Sequence, residues 1–196
     1  MEHNYREQFI ELYQTHIHRE GADKLLAWLD RTDFFTAPAS TKFHCACDGG
    51  LVQHSVNVYQ VLREKYFDPE KDSEESFAIC GLLHDLCKTG FYKTSTRNVK
   101  NAEGRWEQQP YYMVEDNFPY GHGEKSVFMI ERFLKLKTPE AMAIRWHMGG
   151  FDDSVKAGNF ALSLAFEKYD LAVKLHLSDL ESTYLVERHT SAVTRR

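Results

Sequence analysis

Apolar residues recur at helical spacing along most of the chain. Over 4–31 they include Tyr5 and Phe9 and predict N-terminal helices. A stretch rich in Ala, Pro, Ser and Gly over 34–50 predicts a loop, and a new helical pattern begins near Leu51. The pattern therefore predicts a protein that is helical almost throughout.

The segment after Asp72 predicts the most deeply buried helix. Asp72 and Glu75 have the spacing of a capping box, which indicates a helix start. The residues that follow, SFAICGLLHDLCK, are apolar on nearly every side as far as His84. A helix of that kind lies in the centre of a protein. We expect it to end near Gly90.

Residues 91–115 interrupt the helical pattern. They are rich in Thr, Tyr and Val and contain a turn sequence at 101–104, which predicts a β-hairpin. Helices resume near Gly123, and Thr138 is predicted to cap the following helix, with a proline in its first turn. A last long helix is predicted from about Asn159 to Val186.

Length and composition limit the class of protein. The chain has 196 residues, which is enough for one domain with a full core and short for two. Hydrophobic residues make up 42% and charged residues 27%, as in globular proteins. The net charge of −5 argues against long nucleic acids or anionic membranes as partners, so any nucleotide must be held locally. No apolar run has membrane-spanning length and no signal-peptide core is visible, which predicts a cytoplasmic protein.

The cysteines are interpreted as packing residues. They are Cys45, Cys47, Cys80 and Cys87, and two of them lie in the predicted buried helix. That placement favours reduced thiols over disulfides. The Cys45-x-Cys47 spacing differs from that of usual zinc knuckles, and no second cysteine pair follows it.

Two metal-ligand types and a lysine interrupt the buried helix: His84, Asp85 and Lys88. Burying an unpaired imidazole and an unpaired carboxylate costs several kcal/mol, and a divalent cation would compensate for that cost. Adjacent helical residues point about 100° apart, so other helices must supply the remaining ligands. The candidates, one in each of four helices, are His54, His122, His147 and Asp179. This ligand mixture suits Fe, Mn, Co, Ni or Zn and suits Ca poorly.

These residues, in this order, resemble the metal site of the HD superfamily. The resemblance extends over about 34–187 and includes the segments GGLVQHSVNV, LLHDLCK and GHGEKS. It implies an all-α HD-domain helical bundle with a small β-hairpin insertion, forming a single domain over 1–196. The helices over 4–31 would pack on the core of that domain.

The resemblance also implies the ligand sets. A first metal would be bound by His54, His84, Asp85 and Asp179. A second metal would be bound by His122 and His147, with Asp85 bridging the two ions. The cofactor is accordingly one or two divalent ions, drawn from Mn, Fe, Co, Ni, Mg and Zn.

The implied activity is metal-dependent hydrolysis of a phosphomonoester or phosphodiester, with a nucleotide as the expected small-molecule substrate. Asp85 and Lys88 would be catalytic. By similarity to HD-x-x-K phosphodiesterases, Lys88 would neutralise a substrate phosphate oxygen. A salt bridge between Lys88 and Asp85 is the structural alternative, and both roles can hold at different steps.

Two other functions stay open at this point. HD-fold oxygenases, including the inositol-cleaving type, hold two irons with the same six ligands, and some also carry the lysine. A non-catalytic ligand-binding module on an HD scaffold is the third possibility, although the intact ligand set argues against it. The close resemblance to hydrolases favours hydrolysis.

The hairpin at about 91–115 is predicted to cover the metal site and to select the substrate. It begins three residues after Lys88 and ends shortly before His122. Tyr92 and Tyr112 can stack on a base or sugar, and Arg97 can meet a phosphate. The alternative is an ordinary solvated hairpin.

Two further histidines are interpreted as hydrogen-bonded core residues. His44 can approach the site from its loop, and His176 lies one turn before Asp179, where it can support a ligand. The others, His3, His16, His18 and His189, are interpreted as solvated.

Overall fold

The computed structural model describes residues 4–187 and is mostly helical, with one small antiparallel sheet. Its helices are α1 Tyr5–His16, α2 Ala22–Leu29, α3 Gly50–Tyr66, α4 Glu74–Leu83, α5 His122–Glu131, α6 Thr138–Trp146, α7 Asp153–Lys156, α8 Ala161–Lys168 and α9 Asp170–Glu181. Its strands are β1 Tyr92–Lys100 and β2 Trp106–Val114. The predicted combination of a helical protein with a β-hairpin is confirmed. Among the helices within 4–187, none has the length and apolar character needed to cross a membrane.

The hydrophobic core lies where α3, α4, α6 and α9 meet. Helix α3 packs against α4 and α9, and α6 packs against α4 and α9. Leu62 of α3, Phe77 of α4, Ile144 of α6 and Leu175 of α9 are all buried there. The N-terminal region shares this core, because Phe9 of α1 is buried in it and α1 contacts α3 and α4. Each of the four central helices carries a predicted metal ligand or ends beside one.

The N-cap of helix α4 lies one residue later than predicted, and the capping box between Asp72 and Glu75 does not form. The N-cap residue is Ser73, whose hydroxyl accepts a hydrogen bond from the N–H of Ser76 at 3.4 Å. Asp72 instead accepts a hydrogen bond from the ammonium group of Lys174 at 2.8 Å. The charged partner from α9 holds this carboxylate away from the helix terminus.

Helix α4 also ends earlier than the predicted stop at Gly90. Its last residue is Leu83, His84 keeps helical dihedral angles as the C-cap, and Asp85 leaves the helix with φ −100° and ψ 20°. A 3₁₀ turn over Leu86–Lys88 follows. Side chains of adjacent helical residues point about 100° apart. Because Asp85 lies outside the helix, the angle between the side chains of His84 and Asp85 is not fixed at this value.

Helix α6 begins at Thr138, which is therefore not its cap. Lys137 is the N-cap residue, and its backbone N–H donates to the carboxylate of Glu140 at 2.7 Å. A glutamate at the third helical position often makes this bond. At this helix start the bond to Glu140 outweighs the general preference for threonine as the N-cap residue, on which the prediction for Thr138 depends.

The predicted last helix, from about Asn159 to Val186, is divided into three parts. Helix α8 ends at Lys168, Tyr169 is extended with φ −134° and ψ 94°, and α9 begins at Asp170. The end of the segment, Ser182–Val186, is a π-helical turn. Tyr169 packs against the core. The break therefore follows from tertiary packing at a position without glycine or proline.

The hairpin is regular, and most of it stands clear of the helices. Its strands pair from Tyr92 opposite Val114 to Lys100 opposite Trp106. Trp106, at the far end, is 68% exposed. Within residues 4–187, neither strand packs extensively against any helix. The hairpin therefore touches the body of the protein mainly through its base.

Candidate metal centre

The structure brings all six predicted ligands to the centre of the helical bundle. They are His54 from the middle of α3, His84 and Asp85 after the end of α4, His122 at the start of α5, His147 after the end of α6, and Asp179 in α9. Four of these six residues are almost completely buried. They form overlapping groups whose ligand atoms lie within 4.8 Å of one another.

One set of contacts surrounds the Nε2 atom of His54. This atom lies 3.2 Å from Oδ1 of Asp179, 3.3 Å from Nε2 of His84 and 3.6 Å from Oδ2 of Asp85. Nitrogen and oxygen ligands bind a transition metal at about 2.0–2.2 Å, which places neighbouring ligand atoms about 3–3.5 Å apart. The observed separations match those of ligands around a single ion.

A second set of contacts surrounds the other oxygen of Asp85. Its Oδ1 atom lies 2.9 Å from Nε2 of His122 and 3.5 Å from Nε2 of His147. The Oδ2 atom of Asp85 faces His54 and His84, each at 3.6 Å, and accepts a hydrogen bond from Lys88 at 2.6 Å. The two carboxylate oxygens of Asp85 therefore face different pairs of histidines.

Hydrogen bonds fix the orientation of the three buried histidines. Nδ1 of His84 donates to the carbonyl of Gly81 at 2.9 Å, and Nδ1 of His147 donates to the carbonyl of Ile144 at 2.7 Å. Carbonyl oxygens only accept, so Nδ1 of each ring must be the donor, and Nε2 is directed toward the centre. His54 is oriented in the same way by the carboxylate of Glu187. Metal-binding histidines commonly have such supporting acceptors.

A divalent ion fits these residues for a second reason. Nε2 of His147 is buried and has no hydrogen-bond partner among the described residues. An unpaired buried polar atom costs about 1–3 kcal/mol, so its presence calls for a ligand. The surrounding donors are imidazole nitrogens and carboxylate oxygens, which are preferred by divalent transition metals. The cluster can therefore hold a metal ion.

The carboxylates of the centre are ionised. Burial raises the pKa of Asp85, but the charge of Lys88 and the neighbouring histidines outweigh burial and hold this pKa well below its usual range. Burial likewise opposes the ionisation of Asp179, and His54 overcomes it and lowers the pKa. Burial lowers the pKa of His84 to about 3, so this ring is neutral and its lone pair is available.

Two histidines carry protons that a metal would displace. Burial lowers the pKa of His54, but Glu187 and Asp179 outweigh this effect and raise it to about 10. For His122 burial is outweighed by Cys87 and Asp85, and the pKa again rises to about 10. Metal ligation requires unprotonated nitrogen atoms. Metal binding should therefore release protons from both rings.

Glu187 is a supporting residue that the sequence did not indicate. It is 2% exposed, and its carboxylate accepts hydrogen bonds from Nδ1 of His54 at 3.0 Å and from the amide of Asn57 at 2.9 Å. The π-helical turn over Ser182–Val186 carries it back toward α3. In the sequence it is one charged residue beside Arg188, which gives no sign of burial.

A cysteine also approaches the centre. Sγ of Cys87 lies 3.4 Å from Nδ1 of His122. The sulfur atom lies within 4.8 Å of a ligand atom of Asp85 and of His122. None of the four cysteines forms a disulfide bond. The interpretation of Cys87 as a packing residue is incomplete, because it also contacts a candidate ligand. Its nearness to His122 depends on the meeting of two helix ends.

A cavity of about 1120 Å³ opens over the cluster. Lys88 and Tyr92 line it, together with Val114 at the other side of the hairpin base. Arg97 and Tyr112, predicted as substrate contacts, are not among its lining residues. The pairing register places them on outer rungs of the hairpin, beyond the pair formed by Tyr92 and Val114.

The two remaining central histidines have different surroundings. Nδ1 of His176 donates to the backbone carbonyl of His147 at 2.6 Å, so it supports the segment that carries a ligand. His44 lines the cavity, and its ring centroid lies 4.8 Å from that of His54. Burial, His54 and Lys88 lower the pKa of His44 to about 4.

Of the histidines predicted to be solvated, His18 is exposed, His16 is half-buried with its ring 5.9 Å from that of Tyr59, and His3 and His189 lie outside the described residues.

Comparison of the chain with protein-family models, with curated proteins and with solved structures finds no match in any of the three.

Proposed function

We propose that this chain is a metal-dependent phosphohydrolase of the HD superfamily with two divalent ions bridged by Asp85. The observation that carries the proposal is the division of the Asp85 carboxylate. One oxygen faces His54 and His84, and the other faces His122 and His147. A carboxylate placed in this way is suited to bridging two neighbouring ions.

Ions held there would supply an activated water nucleophile and would polarise the phosphoryl group. Lys88 is a positively charged side chain beside Asp85, at the place where the phosphoryl group would react. It lines the cavity and is 9% exposed, and Asp85 holds its ammonium group at 2.6 Å. If Asp85 served as a metal ligand, its hold on Lys88 would weaken, and Lys88 could turn its charge toward a phosphoryl oxygen. The salt bridge and the catalytic role predicted for this lysine are then successive states.

The cavity supports a small phosphorylated substrate. Its lysine and arginine lining residues are Lys42 and Lys88, which is little positive charge for a polyanion. A volume of about 1120 Å³ lies just above the usual range of about 300–1,000 Å³ for small-molecule sites, so the cavity has room for such a substrate. The expected substrate is a phosphomonoester or phosphodiester, with a nucleotide as the first choice.

The test combines metal analysis with activity. The purified protein should contain or take up two divalent ions, and it should hydrolyse phosphoesters when supplied with Mn, Co, Ni, Mg, Fe or Zn. Lys88→Met should keep both ions and lose on the order of 10²-fold in turnover, the usual effect of removing one electrostatic stabiliser. His84→Ala should lose metal and activity, while His18→Gln, at an exposed position, should change neither.

Four results would contradict the proposal. Binding of one ion only, with His122 and His147 bonded elsewhere, would remove the second metal. Wild-type turnover by Lys88→Met would remove the role of the lysine. Turnover that requires O₂ and iron would move the protein to the oxygenase class, and full metal loading without any turnover would indicate a binding module.

A further inference from the structure

The loop before α3 is built to a defined shape over the cavity. Backbone N–H of Ala39 donates to the carbonyl of Cys45 at 3.0 Å, which closes the loop. The hydroxyl of Ser40 donates to the carbonyl of His44 at 2.7 Å and accepts from the N–H of Phe43 at 2.9 Å. Cys45 has a φ of 42°, in the left-handed region that residues with a side chain rarely adopt.

Six consecutive residues of this loop, 39–44, line the cavity, whereas the hairpin contributes Tyr92 and Val114. Strained, well-bonded loops over a rigid scaffold are typical of ligand-binding positions. Phe43 is 66% exposed, and the next residue, His44, is directed inward against His54. The loop geometry therefore places an imidazole at the wall of the metal centre.

His44 carries a buried polar atom that the protein leaves without a partner. Its Nε2 makes no hydrogen bond with any residue that the structure describes. Such an atom costs about 1–3 kcal/mol unless a ligand pairs with it. The six ligands of the two proposed ions do not include His44. His44 also lies close to His54 and Glu187. Those two side chains are already hydrogen-bonded to each other.

We infer that His44 is a substrate-binding residue that hydrogen-bonds to the phosphoryl group beside the metal centre. The inference deepens the proposed function and rests on it. A neutral imidazole offers one N–H donor, and phosphoryl oxygens are strong acceptors. Lys88 lines the same cavity, so the two residues would contact the phosphoryl group together.

The experiment uses inorganic phosphate as the probe and the full-length, metal-loaded protein. Phosphate affinity is measured by calorimetry for wild type, His44→Phe, His44→Gln and the exposed-site control His18→Gln. His44→Phe keeps a ring against His54 but removes the donor, so affinity should fall roughly 10- to 100-fold, the worth of a hydrogen bond to a charged group. His44→Gln keeps a donor and should recover part of the loss. Metal content should equal that of wild type in every variant.

Each result decides the inference. Phosphate affinity of His44→Phe equal to that of wild type overturns it, and so does the loss of an ion from either His44 variant, because His44 would then be a ligand. If neither variant folds, phosphate added to the wild type should shift the ring resonances of His44 in NMR spectra, and unchanged resonances count against the inference. Phosphate binding that depends on His44 without any phosphoester turnover would contradict the proposed function, and His44 would then be a phosphate-binding residue of a protein without that activity.

Discussion

At the residue scale, two histidines of the metal centre have their tautomers set by neighbours in sequence. His84 and His147 each follow the last residue of a helix, and each donates Nδ1–H to a carbonyl three residues earlier, of Gly81 and Ile144. The last carbonyls of a helix have no partner within it, so a side chain can satisfy them. The end of the helix therefore both places and orients the ring.

His54 differs, because its orientation depends on a residue at the other end of the described chain. Glu187 accepts from its Nδ1 across a separation of 133 residues. Burial opposes the ionisation of Glu187, yet His54 and Asn57 outweigh it and lower the pKa of this carboxyl to about 2. The ring of His54 therefore has a fully ionised acceptor at every pH near neutrality.

Removing that acceptor should weaken metal binding. We expect Glu187→Ala to lower metal affinity by about 10- to 100-fold, the usual effect of losing the partner of a metal-binding histidine. Glu187→Gln keeps an oxygen acceptor for His54 and should show a smaller loss. Competition with a chromophoric chelator measures both affinities.

The matched control is Glu181→Ala, which removes a carboxylate of α9 that pairs with Lys65 instead of a histidine. Its metal affinity should equal that of the wild type. An unchanged affinity in Glu187→Ala would show that packing alone orients His54. Equal losses in Glu187→Ala and Glu181→Ala would point to a general disturbance of the C-terminal segment.

The sequence indicated the candidate ligands but not the residue that supports one of them. His54, His84 and Asp179 were recognisable because a polar ligand type on an apolar helix face needs a compensating partner. Glu187 was missed because its burial depends on the π-helical turn, and a glutamate beside Arg188 is the normal composition of a surface. The local sequence pattern indicates which face of a helix is buried. It does not indicate which part of the protein a later segment of the chain will contact.

At the element scale, the positions of the ligands depend on two close helix contacts. A Cβ atom added to Gly81 of α4 would lie 2.6 Å from Cα of Tyr59 in α3. One added to Gly123 of α5 would lie 2.2 Å from the carbonyl oxygen of Arg145 in α6. Real Cβ atoms do not approach backbone so closely, so any side chain at either position must push two helices apart.

These two contacts allow the two halves of the metal centre to be separated. Gly81→Ala should displace α3 from α4 and reduce binding at His54 and His84. Gly123→Ala should displace α5 from α6 and reduce binding at His122 while the first ion stays bound. Each change should destabilise the fold by about 1–3 kcal/mol, as overpacking does. Metal stoichiometry and urea denaturation measure the two effects.

Gly150→Ala is the matched control, since an added Cβ there has no neighbour within 4 Å and the residue is exposed. It should keep both ions and change stability by less than about 0.5 kcal/mol. Loss of both ions from Gly81→Ala and from Gly123→Ala alike would mean that the site forms as one cooperative unit, against the independent halves expected here.

The elements themselves were predictable where local sequence decides them. The hairpin was predicted from its composition and turn, and Asn101 closes that turn by accepting from the N–H groups of Glu103 and Arg105. The break at Tyr169 was not predictable, because the residue leaves the helix to pack on the core. The early end of α4 at Leu83 was missed for a related reason, since the apolar pattern continues past it.

At the scale of the whole molecule, the body and the hairpin are distinct parts. The helices enclose the candidate metal centre, and the loop over 39–44 closes one side of the cavity. The hairpin adds Tyr92 and Val114 to that cavity and then extends away from it. The sequence correctly indicated that both ends of the hairpin lie near the site. It does not determine the direction in which the two paired strands extend from those ends.

The outer hairpin should therefore be dispensable for the chemistry. Replacing residues 95–111 by a short Gly-Ser link removes the outer rungs and keeps Tyr92 and Val114 at the cavity. We expect both ions, the turnover and the KM for a small phosphoester to stay within about twofold of the wild type. A two-stranded hairpin without a third strand is marginally stable by itself, so the fold should lose less than about 1 kcal/mol.

The contrast with the loop variants makes this a sharp test of which element selects the substrate. His44→Phe changes one ring in the loop and should weaken phosphate binding, whereas the hairpin deletion removes many more atoms and should not. A KM raised tenfold or more by the deletion, with metal content unchanged, would show that the outer hairpin bends over the cavity during turnover. In that case removed residues such as Arg97 would reach the substrate in a closed state, as the tethering of the hairpin to the site predicts.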